Sequence, residues 1–330
     1  MSAPLRLTLA VGDYDHVRDL ASGVVRAAGI ELNCLNLPPE EIFFRFTKFR
    51  EWDVSEMSFA KYASLLSQDD SSIVAIPVFP SRVFRLSSLY VRPGGRVKSP
   101  ADLKGCRIGL PEWAQTASIY TRGYIAHELG IPLESIEWAQ AGVDQPGRVE
   151  KVALKLPQGI RYRSVPDRCL NDLLLAGDID VIMSARAPTG FSDGSGSIVR
   201  LYPEFRAAEE IYYRKTRVFP IMHIVVLRRD VFEAHPWVAM NLYKAFSEAK
   251  ARAVERVSDV TASHAPLAWL SDYADRMRSL FGEDFWPYGI EPNRPTLEAF
   301  LQFGFEQGVC HRRLSVTELF PAQVQAFHKV

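Results

Sequence analysis

The stretch that decides the fold is VKSPADLKGCRIGLPEWAQTASIYTRGYIAHELGI, residues 97–131. Its pattern predicts a short buried strand over 106–110, a polar turn over 111–115 and a helix over 116–129. The first backbone N–H groups of that helix have no partner within the helix, and the helix dipole adds positive potential there. A helix that begins directly after a parallel strand is suited to binding an anion, so we expect this turn to face a ligand-binding cleft.

The rest of the chain repeats this alternation of strands and helices. Leu5, Leu7, Leu9 and Val11 alternate with less apolar residues and predict the first strand. Further strands are expected at residues 30–37, 54–57, 73–78, 83–91, 135–140, 179–183 and 217–227. Such alternation is typical of α/β proteins with parallel sheets, in which ligands bind at the carboxyl ends of the strands. The residues at those ends are therefore the candidates for a functional site.

Length, charge and residue spacing limit the classes of function. The 330 residues suffice for two α/β lobes, and the 39 basic and 39 acidic residues balance, so neither nucleic acid nor a membrane is an expected partner. The four cysteines are far apart and the histidines lack metal-ligand spacing, so no metal is expected. Neither a leader nor a membrane-length apolar run is visible, which predicts a cytoplasmic protein.

Three stretches carry a resemblance to the periplasmic-binding-protein type II superfamily. They read SPADLKGCRIGLPEWAQTASIYTRGYIAHELGI, LLLAGDIDVIMSARAP and FPIMHIVVLRRDVFEAHPWVAMNLYKAFSEAKARA. The resemblance implies an α/β fold of two lobes with a central interlobe cleft. Lobe 1 would comprise residues 1–91 and 220–330, and lobe 2 would comprise residues 92–219.

Within that superfamily, GRVEKVALKLPQGIRY and FPIMH are most similar to the 4,5-dihydroxyphthalate decarboxylase family. This resemblance implies a cofactor-independent enzyme of aromatic degradation that converts a small aromatic dicarboxylate, 4,5-dihydroxyphthalate, to protocatechuate and CO2. The alternatives are another lyase of the same fold, or a non-catalytic solute-binding protein that delivers an aromatic or dicarboxylic acid to a transporter. A transport receptor must be exported, so the lack of a visible leader favours the enzyme. Whether the protein forms a homo-oligomer stays open.

Decarboxylation without a cofactor needs a base at a ring hydroxyl, an acid at the ring carbon and a cation for the retained carboxylate. The acid–base candidates are His16 after the first strand, Glu112 in the opening turn and His223 in an apolar strand. The indole of Trp113 beside Glu112 would raise the pKa of that carboxyl by desolvation. The sequence does not assign acid and base. Each candidate also has a structural alternative: a capping or surface His16, a solvated Glu112 and a core His223.

Arg85 and Arg186 are the preferred carboxylate clamp, with Arg82 in reserve, because a guanidinium can grip a carboxylate with two parallel hydrogen bonds. The other expected substrate contacts are polar or aromatic side chains at the predicted turns and strand ends: Asp13, Tyr14, Ser58, Trp113, Thr116 and Ser184. Turn or capping roles are the alternative for the small polar ones. The remaining histidines are expected to be structural or solvated: His127, His235, His264, His311 and His328.

Overall fold

The structure is a computed structural model that describes residues 3–325, so the expectation for His328 concerns a residue outside the described part. Its strands are β1 (Leu5–Val11), β2 (Ile30–Asn36), β3 (Val54–Ser58), β4 (Ile73–Ile76), β5 (Leu89–Val91), β6 (Arg107–Leu110), β7 (Glu137–Gly142), β8 (Arg161–Cys169), β9 (Val181–Met183), β10 (Val199–Arg200) and β11 (His223–Arg228). Its helices are α1 (Asp15–Ala21), α2 (Pro39–Phe49), α3 (Phe59–Leu66), α4 (Thr116–His127), α5 (Leu170–Ala176), α6 (Thr189–Ser192), α7 (Phe205–Thr216), α8 (Arg229–Ala234), α9 (Trp237–Ser258), α10 (Leu270–Phe281) and α11 (Arg294–Glu306).

The strands form two separate sheets, as the predicted two-lobe α/β fold requires. The first sheet has the order β2-β1-β3-β11-β4, with β1, β2 and β3 parallel and β11 antiparallel to both of its neighbours. The second sheet has the order β10-β5-β9-β6-β7-β8, with β9, β6, β7 and β8 parallel. Strand β11 returns the chain to the first sheet, so that lobe is discontinuous in sequence.

The first crossing between the sheets lies earlier along the chain than the expected boundary at residue 91. Strand β5 pairs with β9 and therefore belongs to the second sheet. The strand predicted over 83–91 is wrong for residues 83–88. The backbone N–H of Leu86 donates to the buried carboxylate of Glu209 on α7, and Leu86–Ser88 form a short 3₁₀ turn instead of an extended strand.

The carboxyl ends of strands from the two sheets face each other. Ser58 at the end of β3 and Thr116 at the start of α4 lie 3.1 Å apart between their hydroxyl oxygens. Thr116 also accepts a hydrogen bond from the backbone N–H of Ala60 in α3, at 3.1 Å. The predicted helix after the turn is confirmed as α4. Two helix starts therefore meet at the interlobe cleft, one from each lobe.

Candidate active site

A buried carboxylate, Glu56, lies at the centre of the site. Glu56 and Ser58 are two residues apart on β3 and so face the same side of the sheet. His223 on β11 pairs directly opposite Ser58, which places its side chain on that face as well. Glu56 is fully buried, and its Oε1 lies 2.5 Å from His223 Nδ1. The strand register therefore brings the carboxylate and the imidazole together.

The same carboxylate accepts two further hydrogen bonds. Tyr14 donates its hydroxyl to Oε1 at 2.7 Å, and the backbone N–H of Gly12 donates to Oε2 at 2.7 Å. A Cβ at position 12 would lie 2.7 Å from the Tyr14 ring and 3.2 Å from Glu56, so this approach requires glycine. Burial alone would raise the pKa of Glu56, but the hydrogen bonds from His223, Tyr14 and Gly12 outweigh it and hold that pKa below its ordinary value. Glu56 is therefore ionised at neutral pH.

His223 is anchored on one ring nitrogen only. Its Nδ1 bonds to Glu56 and lies 3.4 Å from the Tyr14 hydroxyl, and the edge of its ring meets Phe43 of α2 with centroids 4.8 Å apart. Within residues 3–325, no hydrogen bond to Nε2 is found. The side chain is 19% exposed. An imidazole fixed at Nδ1 with its other nitrogen available can exchange a proton with a bound ligand.

His16 is anchored through Nε2, whereas His223 is anchored through Nδ1. Its Nε2 lies 2.9 Å from the carbonyl oxygen of Pro80, which can only accept, so Nε2 carries the hydrogen and Nδ1 is the bare acceptor. The ring packs between Tyr14 and Trp286, with centroid separations of 5.3 and 5.4 Å. Burial lowers the pKa of His16 to about 4, although the hydrogen bond to Pro80 partly offsets it. His16 is therefore neutral near pH 7.

This depressed pKa has a measurable consequence for stability. As the pH falls below about 6.5, His16 takes up a proton in the unfolded chain but resists it in the folded protein until about 4, so acidification favours unfolding. Near pH 4 we expect this residue to account for on the order of 3 kcal/mol of lost unfolding free energy. Denaturant unfolding of the wild type and of His16→Gln between neutral pH and pH 4 checks this. The variant should lose less stability, and an identical pH dependence would contradict the assignment.

Ser58, Thr116 and Tyr14 are among the predicted contacts that the structure brings to the cleft. Asp13 is exposed in the turn between β1 and α1. Ser184 is buried after β9, where its Oγ accepts the backbone N–H of Arg186 at 3.2 Å, and this contact supports a turn role.

The three predicted clamp arginines lie in different environments. Arg186 is 72% exposed, and its only ion pair is a long one of 3.7 Å to Glu40 of α2, across the cleft, within the described residues. Arg82 is buried and donates to the carbonyl oxygens of Pro287 and Phe219, at 3.1 and 2.9 Å. Its guanidinium therefore links the segment before β5 to the segments that contain these two residues.

Arg85 lies in the segment between β4 and β5, which crosses from the first sheet to the second. Its Nε lies 3.4 Å from the sulfur of Met222, and it borders a small pocket with Tyr124 of α4 and Tyr212 of α7. Burial lowers the pKa of Arg85 to about 10, so it stays charged at neutral pH. Of the three arginines, Arg186 is the one that reaches across the cleft to the other lobe through its ion pair with Glu40.

Glu112 and Trp113 have strong partners of their own. Oε1 of Glu112 lies 2.5 Å from Arg148 and 3.4 Å from Lys151. Trp113 is fully buried, and its indole N–H donates to the carbonyl oxygen of Gln307 at 2.8 Å. The geometry therefore supports an ion-pairing role for Glu112 and a core role for Trp113, rather than the expected acid and substrate contact.

Glu56 is the residue that the sequence analysis missed. It stands in the strand VSEMS, where the neighbouring residues are buried. A charged side chain inside a buried strand is costly unless it is paired, so its presence was itself the available signal. Its partner could not be read from the spacing, because Glu56 and His223 are 167 positions apart in the chain.

Residues 3–325 contain neither a metal-binding cluster nor a membrane-spanning helix. No group of three or more histidine, cysteine, aspartate or glutamate side chains is arranged to hold a metal ion in this part of the chain. None of the helices described combines the length and the apolar character that a membrane crossing requires.

The chain is similar over nearly its whole length to a curated enzyme. It is 39% identical to the 4,5-dihydroxyphthalate decarboxylase of Comamonas testosteroni over 325 residues, which cover 98% of each chain. The chain belongs to the 4,5-dihydroxyphthalate decarboxylase family. A relative of the same name from Pseudomonas putida is 36% identical over 211 residues, 64% of this chain and 82% of the relative. No family model matches the chain.

Solved structures confirm the predicted fold class for this family member. The periplasmic aliphatic sulphonate binding protein SsuA of Escherichia coli superposes with a TM-score of 0.52 at 12% identity, covering 100% of this chain and 96% of that one. A putative sulfonate-binding SsuA of Methylobacillus flagellatus gives a TM-score of 0.51 at 12% identity, covering 98% and 93%. At such identities the likeness concerns the two-lobe fold alone.

Proposed function

We propose that this protein decarboxylates 4,5-dihydroxyphthalate to protocatechuate and CO2 without a metal or organic cofactor. The observation that carries the proposal is the buried Glu56–His223 pair at the cleft of a chain that is 39% identical to an enzyme of this name. The pair supplies the anchored proton donor that a cofactor-free decarboxylation needs.

The substrate's own structure supplies most of the electronic driving force. In 4,5-dihydroxyphthalate each carboxylate has a hydroxyl para to it on the ring. Withdrawal of that hydroxyl's proton pushes electron density onto the carbon that carries the carboxylate. A proton adds to this carbon, the carbon–carboxylate bond breaks to release CO2, and the hydroxyl regains its proton as aromaticity returns. The net change is one proton taken up at the ring carbon for each CO2 released.

The two histidines suit the two ends of this reaction. His16 is neutral with Nδ1 as an acceptor, so it accepts the hydrogen of the ring hydroxyl. His223 is anchored to Glu56 through Nδ1, so Nε2 is the atom that delivers a proton to the ring carbon. Both histidines contact Tyr14, His16 through its ring and His223 through its Nδ1.

Arg186 binds the carboxylate that stays on the ring. Its weak pairing with Glu40 leaves it available for a ligand, and a guanidinium matches a carboxylate geometrically. The hydroxyls of Ser58 and Thr116 at the two helix starts provide additional donors.

Replacement of Arg186 should therefore weaken binding more than it slows chemistry. We expect Arg186→Ala to raise KM about tenfold or more, equivalent to at least about 1.4 kcal/mol, with kcat changed much less. Arg163→Ala is the matched control, because Arg163 is equally an exposed arginine but lies on the edge strand β8. Steady-state kinetics of both variants check the prediction. An unchanged KM in Arg186→Ala would remove this residue from the site.

A comparison of two substrates tests the proposed reaction. The purified protein is incubated with 4,5-dihydroxyphthalate or with phthalate, in buffer containing a chelator, and the CO2 released is measured. We expect CO2 only from the hydroxylated compound, since phthalate lacks the para hydroxyl. A solute-binding protein of the same fold would bind ligand and release no CO2. Turnover that the chelator abolishes would contradict the metal-free form of the proposal.

A further inference from the structure

The carboxylate of Glu56 is buried inside a β-strand, where a charge is stable only when it is fully paired. We infer that Glu56 is a positioning residue that fixes His223 with its hydrogen on Nδ1 and stabilises the imidazolium, which makes the Nε2 hydrogen the proton delivered to the substrate. This inference rests on the proposed decarboxylation for its catalytic part. Its structural part, the fixed tautomer of His223, stands independently.

The hydrogen-bond chemistry around Glu56 leaves one arrangement of protons. An ionised carboxylate only accepts, so the 2.5 Å contact requires that Nδ1 of His223 carries hydrogen. Tyr14 and the Gly12 amide supply the other donors, at 2.7 Å each. Both carboxylate oxygens thus have donors in a fully buried position. Any proton that His223 exchanges with a ligand must therefore pass through Nε2.

The charges around His223 point to Glu56 as the group that stabilises its cation. The groups in contact with the ring are Glu56 on β3, Tyr14 after β1 and the apolar Phe43 on α2. Burial raises the pKa of Tyr14, and the nearby Glu56 raises it further, so this hydroxyl stays neutral. The field of Glu56 also reaches His16 and Tyr288. Glu56 is the only one of these groups that is negatively charged at neutral pH.

The same arrangement explains why two histidines in one cleft take opposite roles. His16 is anchored to the neutral carbonyl of Pro80, whereas His223 is anchored to a carboxylate. A carboxylate stabilises an imidazolium far more strongly than a carbonyl does. Glu56 therefore selects His223 as the donor and leaves His16 as the acceptor.

Glu56→Gln tests the inference because it keeps the shape of the side chain and removes its charge. We expect kcat to fall about 10²-fold or more while KM changes little, the size typical when the partner that orients a functional histidine is lost. Glu56→Asp, which restores the charge, should recover kcat in part.

Asp180→Asn is the matched control for losing a buried carboxylate. Asp180 directly precedes β9, at the end of that strand away from the cleft. It pairs with Arg107, and its side chain is 6% exposed. This control should lower stability without changing the tautomer of His223.

Because Glu56→Gln itself could fail to fold, Tyr14→Phe provides a second variant. It removes one hydrogen bond to Glu56 but keeps the carboxylate, so we expect hydrogen to stay on Nδ1 of His223. A mixture of tautomers in Tyr14→Phe would contradict the inference.

Nitrogen NMR of the His223 ring separates failure of this inference from failure of the proposed function. We expect hydrogen on Nδ1 in the wild type and a mixture of tautomers in Glu56→Gln, whatever reaction the protein catalyses. An unchanged tautomer together with an unchanged kcat in Glu56→Gln would overturn the positioning role. A wild type with the predicted tautomer but without CO2 release would overturn only the decarboxylation.

Discussion

His223→Gln should lower kcat by about 10³-fold or more while the protein still binds 4,5-dihydroxyphthalate, because the variant loses the proton donor and little else. Glutamine can still donate a hydrogen bond to Glu56, so the buried carboxylate keeps a partner. It cannot deliver a proton to the ring carbon. The measurement is CO2 release under saturating substrate, combined with calorimetric binding of the same substrate.

His127→Gln is the control for this experiment. His127 lies at the end of α4, is 39% exposed and pairs with Glu306 at 2.7 Å. We expect wild-type turnover from this variant. If His223→Gln retained more than about a tenth of the wild-type kcat, His223 would not be the proton donor, since positioned acids typically contribute about 10²–10⁴-fold.

The second large effect concerns stability. Trp113→Ala should lower the free energy of unfolding by about 3–5 kcal/mol, because a fully buried indole is replaced by a cavity. The ring packs edge-on against Trp138 at 5.3 Å, and the guanidinium of the fully buried Arg122 lies 3.9 Å from its centre. The variant also loses the hydrogen bond to the Gln307 carbonyl. Denaturant unfolding followed by circular dichroism measures the loss.

Trp237→Ala provides the comparison, since this tryptophan is 42% exposed at the start of α9 and should cost much less. Trp113→Phe should fall between the two, because it keeps a ring but loses the indole donor. A Trp113→Ala variant with wild-type stability and weakened substrate binding would restore the substrate-contact role expected from the sequence.

Local pattern was sufficient to predict much of the fold. Strand β6 and helix α4 follow from the apolar run at 106–110 and the helical pattern after it, and β1 follows from alternation. Strand β8 was not predicted. It is an edge strand with a largely exposed, polar sequence that includes Pro166, so it lacks the apolar pattern by which strands are predicted.

The sequence offers site candidates only near the predicted strand ends. Of these, Ser58 and Thr116 meet between the two sheets, and Tyr14 contacts His223. The role of Glu56 could not be predicted without knowing which strand lies beside β3, because its partner comes from β11, which is distant in sequence.

The environment of Glu112 is set by a similar long-range contact. Its ion-pair partner Arg148 lies 36 residues away, in the loop between β7 and β8. The neighbouring Trp113 led to the prediction of a desolvated acid at Glu112. In the folded chain, two cations, Arg148 and Lys151, pair with this carboxylate instead. Contacts of this kind depend on tertiary packing rather than on local sequence.

The most direct test of the central claim uses 4,5-dihydroxyphthalate labelled in both carboxyl groups. Labelled CO2 and labelled protocatechuate are followed for the wild type and His223→Gln in the presence of a chelator. We predict that the wild type releases one labelled CO2 for each labelled protocatechuate formed, and that His223→Gln binds the substrate and releases almost none. Binding by the wild type without labelled CO2, or wild-type turnover by His223→Gln, would contradict the account.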